Sequence, residues 1–181
     1  MDILGVDQSL SMTGLARLDD AGITTDRIKT IPMNGGLSDD RQRIRYIVGR
    51  TLRFAPLECL TVIEAPYVPK GGKAAGSVTE RAWLFGMLVD QLMIRGPVVQ
   101  VRTKTRAMYA TDNGNAEKPE VLAAMHAKFP DVVIRDDNEA DALALLCMGA
   151  RYLGRPIDGP ESKKQSKAMT SVVWPSKQGE N

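Results

Sequence analysis

Short apolar runs separated by polar turns predict strands and one amphipathic helix in the first third of the chain. Residues 3–6 form an apolar run that ends at Asp7 and precedes small and polar residues, as expected for a buried central strand that leads into a turn. Residues 14–18 can return antiparallel beside this strand, and residues 22–31 alternate loosely as a third strand. Residues 40–54 place apolar side chains at helical spacing with arginines between them, which indicates an amphipathic helix with a basic outer face.

The rest of the chain predicts two further strands and three helices. Residues 59–63 form a buried β-type run that stops at Glu64, and residues 97–101 form another short strand. Between these strands, residues 77–94 have the pattern of a helix that is apolar almost all round. Because one sheet face can cover only one stripe of such a helix, we expect the remainder to form a homodimer interface. The last two predicted helices span residues 117–128 and 137–152.

Composition and charge indicate one folded domain followed by a basic tail. A chain of 181 residues, 43% of them hydrophobic, can bury a substantial core, which we assign to residues 1–154. Residues 155–181 are rich in lysine and broken by Gly and Pro, so we expect a disordered tail. From Arg151 onward there are six Lys or Arg and three Asp or Glu, which leaves 18 basic and 19 acidic residues in the body.

Any attraction to a polyanion must therefore come from local basic clusters, each of which could equally be solvated surface. The clusters are Lys70 with Lys73, residues 102–106, and residues 163–167.

Cysteine usage and hydropathy exclude several classes of protein. Cys59 and Cys147 both lie in apolar runs, which favours buried free thiols in a reducing compartment over a disulfide or a structural zinc site. No apolar run is long enough to span a membrane, and the N-terminus has no basic leader before a hydrophobic segment. We therefore expect a cytoplasmic protein with no membrane partner.

Three carboxylates stand in apolar surroundings, and together they suggest a metal site. Asp7 and Glu64 each end a predicted strand, and Asp141 lies among alanines and leucines of the last helix. A turn cap for Asp7, or a set of unrelated salt bridges, is the alternative. No Lys or Arg is adjacent to these residues, so we favour Mg²⁺ or Mn²⁺ as their partner. Asn138 and Asp137 share the helix face of Asp141.

Four segments, taken in order, carry a family resemblance. They are ILGVDQSLSMTGLA, VIEAPYV, TKTRAMYATDNGNAEKPEV and DDNEADALALL. This ordered set resembles the RuvC family of Holliday junction resolvases, within the RNase H-like nuclease superfamily, over nearly all of residues 2–154. The compact size and one variant ligand look like the bacteriophage members. The resemblance implies an α/β fold with a mixed five-stranded sheet, its first three strands antiparallel, flanked by helices.

The resemblance also implies the residues of an active site that binds two Mg²⁺ or Mn²⁺ ions. The family usually has an acid at the position of Asn138, so either this amide is a ligand or Asp137 replaces it. The segment of residues 77–94 matches the helix through which the family forms dimers. The implied metal ligands are Asp7, Glu64, Asn138 and Asp141; the implied catalytic residues are Asp7, Glu64, Asp141 and Lys118; the candidate DNA-binding residues are Tyr67, Lys70, Lys73, Lys104, Arg106 and Lys118.

These observations lead to one principal hypothesis and three alternatives. The principal hypothesis is a metal-dependent endonuclease that resolves four-way DNA junctions by paired phosphodiester hydrolysis. A broader nuclease for flaps and forks has the same expected site, and a non-catalytic junction-binding protein would be compatible with the amide at Asn138. Sugar kinases and actin share the strand that ends in an aspartate, but they need two such domains, and 181 residues hold only one.

Overall fold

The computed structural model describes residues 1–32, 36–66 and 78–176. Five strands and six helices are described in these ranges. The strands are β1 (Asp2–Asp7), β2 (Met12–Asp19), β3 (Gly22–Lys29), β4 (Cys59–Glu64) and β5 (Val98–Val101), and the helices are α1 (Leu37–Phe54), α2 (Val78–Met93), α3 (Thr103–Thr111), α4 (Lys118–Lys128), α5 (Asp137–Tyr152) and α6 (Lys163–Thr170). None of the described helices is both long and apolar enough to cross a membrane.

The strands form one mixed sheet in the order β3-β2-β1-β4-β5. Tight turns join the first three strands, which therefore run antiparallel. The longer connections that contain α1 and α2 allow β4 and β5 to join parallel to β1. The mixed five-stranded α/β fold predicted from the sequence is confirmed.

Helices cover both faces of the sheet. The alternation of side chains along β1 decides which residue faces which helix. Ile3 packs in the core cluster that includes α5, whereas Leu4 and Val6 pack in the cluster that includes α1 and α2. Successive side chains of a strand alternate between faces, so Gly5 and Asp7 share the α5 face with Ile3. A carboxylate at the end of this strand must therefore face α5.

Helix α5 approaches the sheet unusually closely because glycines lie beneath it. A Cβ atom on Gly5 would stand 2.0 Å from the carbonyl oxygen of Ala142. The residues of α5 from Glu139 to Ala150 are all buried, and many of them are alanines, which permits this short separation. The close packing brings the N-terminal turns of α5 next to the end of β1.

The apolar segment predicted at residues 77–94 is helix α2, and one stripe of it faces the core. Leu84, Leu88 and Leu92 are fully buried against the sheet. The opposite stripe carries exposed residues of mixed character: Thr79, Ala82, Gly86, Asp90 and Met93.

The chain beyond residue 154 differs from the expected disordered tail. Residues 163–170 form helix α6, and Tyr152 stacks on Trp174 with ring centroids 4.7 Å apart. The Gln165 amide donates to the carbonyl oxygen of Tyr109 in α3 at 3.1 Å. The expectation failed because the high lysine content concealed an amphipathic pattern, in which Gln165 and Ala168 are buried while the lysines stay outside.

Candidate active site

The ends of two neighbouring parallel strands place the first two carboxylates together. Val6 of β1 pairs with Ile63 of β4, so Asp7 and Glu64 follow side by side at the C-terminal ends of these two strands. Glu64 also lies on the same face of β4 as the residues that pack towards α5. Strand pairing therefore places both carboxylates at the same end of the sheet, and side-chain alternation directs both to the same face.

The third carboxylate comes from α5, whose N-terminus is firmly held. The side chain of Asp136 caps the helix and accepts hydrogen bonds from the backbone N–H groups of Asn138 and Glu139, each at 3.1 Å. The fully buried Glu139 accepts from the backbone N–H of Arg135 at 2.6 Å and from its guanidinium at 2.8 Å. This anchoring fixes Asp141, which is only 2% exposed, one turn further into the helix.

The three carboxylates of Asp7, Glu64 and Asp141 line one cavity of about 590 Å³. It brings together six of the predicted site residues: Asp7, Glu64, Arg106, Lys118, Asn138 and Asp141. Lys104 is exposed on α3 and does not line the cavity. Tyr67, Lys70 and Lys73 lie outside the described residues.

The cavity also contains polar residues that the sequence analysis did not single out. The Thr103 hydroxyl donates to Glu64 Oε1 at 2.8 Å, and it does so from the first turn of the helix that follows β5. Ser9, in the turn after β1, is part of the wall as well. A threonine two residues after an apolar strand was the available signal for Thr103, since that strand ends beside β4.

Arg106 is the cationic partner that the carboxylates lack in the sequence. Its Nε donates to Glu64 Oε2 at 2.5 Å, and its Nη1 forms an ion pair with Asp141 Oδ1. The Arg106 side chain is only 6% exposed. The inference that no basic residue accompanies these acids is therefore wrong, because it considered neighbours in the sequence and the partner comes from α3.

The carboxyl group of Asp7 has a strongly raised pKa in the cavity. Burial first, and the nearby charge of Glu64 second, raise the pKa of Asp7 to about 8. Arg106 and Lys118 act in the opposite direction without cancelling these effects. A carboxyl group in such a position binds a proton or a cation more readily than an ordinary aspartate.

The structure distinguishes the two candidates for the fourth ligand position by their contacts. Asn138 lines the cavity with the carboxylates. Asp137 forms an ion pair with Lys118 at the N-terminus of α4. Of the two, Asn138 is therefore the side chain in the wall, and Asp137 holds a lysine at its rim.

The donor set suits a hard divalent cation in chemical type. Asp7, Glu64, Asn138 and Asp141 offer only oxygen ligands, which Mg²⁺ and Mn²⁺ prefer. As the described side chains stand, however, no three acids, histidines or cysteines are grouped to hold an ion. The guanidinium of Arg106 forms ion pairs with both Glu64 and Asp141 in this arrangement.

Comparison with solved structures shows where this fold occurs. The chain is similar to Thermus thermophilus RuvC, with a TM-score of 0.60 and 21% identity over 86% of this chain and 98% of that one. A structure of the same protein in complex with a Holliday junction substrate gives a TM-score of 0.60 and 19% identity, over 86% and 97% of the two chains. Fowlpox virus resolvase, solved with Holliday junction DNA, gives 0.50 and 14%, over 85% and 97%. These likenesses establish a shared RNase H-like fold.

No model of a protein family matches the sequence, and no curated protein matches it either.

Proposed function

We propose that this protein is a divalent-metal-dependent endonuclease that resolves four-way DNA junctions. The observation that carries the proposal is the convergence of Asp7, Glu64 and Asp141, from three separate elements, in one cavity with Lys118 at its rim. The fold supports it, since Thermus thermophilus RuvC and Fowlpox virus resolvase were both solved with Holliday junction DNA.

In this proposal the four oxygen-bearing residues Asp7, Glu64, Asn138 and Asp141 hold two divalent ions. Such ions activate water and stabilise the leaving oxygen in phosphodiester hydrolysis. The protein's own contribution is positioning: Thr103 orients Glu64 through its hydroxyl, and the capped N-terminus of α5 fixes Asn138 and Asp141. Lys118, whose side chain is 63% exposed, can approach a phosphate oxygen at the cavity mouth.

The DNA-binding face is proposed to continue from the cavity along α3 and α6. Lys104 is exposed two residues before Arg106. Helix α6 packs on α3 and carries Lys163, Lys164 and Lys167, all exposed, on the side opposite its buried Gln165. Basic side chains on a rigid surface supply the sequence-independent part of DNA affinity. Tyr67, Lys70 and Lys73 remain predicted contacts of the same interface.

A homodimer is the proposed assembly, because a junction has approximate two-fold symmetry and needs two cuts. The outward stripe of α2 offers a surface for it. A Cβ atom on Gly86 would meet nothing within 4 Å among the described residues, and Met93 is 59% exposed. Small residues such as Ala82 and Gly86 on this exposed helix face allow a second helix to approach closely, and a symmetric copy is the occupant that the paired cuts require.

The decisive experiment is an incubation of the protein with four labelled substrates: a four-way junction, a flap, a splayed duplex and a linear duplex. We expect paired nicks in the junction with Mg²⁺ or Mn²⁺, and none with EDTA. Equal cutting of the flap and splayed substrates would favour the broader branched-DNA nuclease. Tight junction binding without any cleavage would favour the non-catalytic alternative.

A further inference from the structure

Arg106 is a buried cation placed inside a set of candidate metal ligands. It lies one turn into α3, and its guanidinium contacts Glu64 through Nε and Asp141 through Nη1. The exposed fractions of the three side chains are 6% for Arg106, 13% for Glu64 and 2% for Asp141. A guanidinium buried to this degree commonly serves as the fixed partner of an acid.

The two acids that pair with Arg106 are also proposed metal ligands. The two acids that Arg106 contacts, Glu64 and Asp141, line the same cavity as Asp7 and Asn138. A divalent ion bound by Glu64 and Asp141 would place its charge beside the guanidinium. Two cations in contact repel each other strongly in a partly buried site. The guanidinium and the ion would therefore compete for the same two carboxylate groups.

We infer that Arg106 is an exchangeable internal cation: it neutralises Glu64 and Asp141 in the metal-free protein and leaves them when divalent ions bind. The cavity of about 590 Å³ gives the side chain room to move without displacing α3. The released guanidinium keeps its charge and its paired donors, which suit a phosphate group. If the proposed junction function holds, metal binding thereby delivers Arg106 to the DNA backbone.

The exchange itself can be tested without DNA. The Nε–H of Arg106 donates to Glu64 in the metal-free protein, so its NMR signal should shift when Mg²⁺ is titrated. The backbone signals of α3 should change much less, because only the side chain moves. The Asp7→Asn variant serves as the control that weakens metal binding. An Arg106 Nε–H signal that stays in place while Mg²⁺ saturates the site would overturn the inference.

Metal affinity supplies a second readout with a matched control. Arg106→Gln removes the competitor, so calorimetry should show Mg²⁺ bound roughly tenfold more tightly or better than by the wild type. Lys104→Gln removes the same charge two residues earlier, on the exposed side of α3, and should change the affinity little. Equal gains in both variants would indicate a general charge effect and would contradict a direct exchange.

The coupling to DNA is tested by junction binding with Ca²⁺, a hard oxygen-seeking cation like Mg²⁺, compared with EDTA. The gain in affinity caused by Ca²⁺ should be at least about threefold larger in the wild type than in Arg106→Gln, since only the wild type releases a phosphate-binding group. Equal gains would refute the delivery step. If neither protein binds junctions at all, the proposed function fails, whereas the NMR result on the exchange stands by itself.

Discussion

Gly14 of β2 lies so close to Asn138 of α5 that a Cβ atom added to the glycine would stand 1.9 Å from the carbonyl oxygen of Asn138. Gly14 is also the residue paired with Asp7 across the β1–β2 hairpin. The glycine therefore sets the distance between the helix and the strand at the point where both contribute to the cavity. A residue without a side chain controls the geometry of the site.

Replacing this glycine should damage both stability and the site. Gly14→Ala must push α5 outward, and overpacked cores typically lose about 1–3 kcal/mol of unfolding free energy. Asn138 and Asp141 would move away from Asp7, so Mg²⁺ affinity should fall as well. Urea unfolding and calorimetry measure the two effects.

Gly49 of α1 provides the control. A Cβ atom at this position meets nothing within 4 Å in the described structure, so Gly49→Ala should stabilise the helix by up to about 1 kcal/mol. Similar stability in both variants would mean that α5 does not need the glycine.

Asp7 should make the metal-free protein less stable as the pH rises. Its pKa is raised from 3.8 to about 8, so between these values the folded state keeps a proton that the unfolded state has lost. Unfolding free energy should therefore decrease with pH, by up to about 1.4 kcal/mol per pH unit for one proton. Asp7→Asn should remove this dependence, and Mg²⁺ should reduce it in the wild type. Urea unfolding in EDTA across this range tests it; a flat wild-type profile would contradict the burial of a titrating carboxyl group.

The same variant separates catalysis from DNA binding. Asp7→Asn should abolish junction cleavage, because it removes a proposed metal ligand from the centre of the cavity. Junction affinity should stay within a few-fold of the wild type, since affinity comes from basic contacts to phosphate. Loss of binding that matches the loss of cleavage would count against this division of roles.

Asn138 and Asp137 should respond differently to truncation. Asn138→Ala removes an oxygen from the cavity wall and should raise the metal concentration needed for half-maximal cleavage. Asp137→Ala instead releases Lys118 from its ion pair and should leave the metal requirement nearly unchanged. A metal titration of junction cleavage distinguishes them, and the reverse pattern would show that Asp137 is the ligand.

The sheet and the carboxylates could be predicted from the sequence because they depend on local patterns. An apolar run that ends in Asp7 or Glu64 indicates a buried strand with an acid at its end, and helical spacing indicates α5. The fold resemblance then supplied the topology.

Arg106 could not be predicted as the partner of Glu64 and Asp141, because this pairing depends on how α3 packs against α5. The same limitation applied to α6. Its lysines dominate the composition, whereas its order depends on the contacts of Gln165 with Tyr109 and of Trp174 with Tyr152. Contacts between distant elements leave no periodic signal in the chain.

The lysines of α6 should contribute to junction affinity without affecting chemistry. Replacing Lys163, Lys164 and Lys167 together by Gln should weaken junction binding and make it less dependent on salt. The slope of log binding constant against log salt concentration should become shallower by up to about 0.9 for each phosphate that is no longer neutralised. Cleavage at saturating protein should stay unchanged, since these residues do not line the cavity. An unaltered salt slope would exclude α6 from the interface.

Assembly is tested by substitutions on the two sides of α2. Gly86 lies on the outward stripe and Leu88 is fully buried, so a glutamate at each position should act differently. Gly86→Glu should give folded monomers that nick junctions singly, because the charge disrupts the proposed dimer face without touching the core. Leu88→Glu should instead unfold the domain, since a buried unpaired charge is very costly.

Sedimentation of the wild type checks the premise that the protein is a dimer. A stable dimer buries about 800 Å² per subunit. A single species at 19.8 kDa would refute the dimer and the symmetry argument for paired cuts.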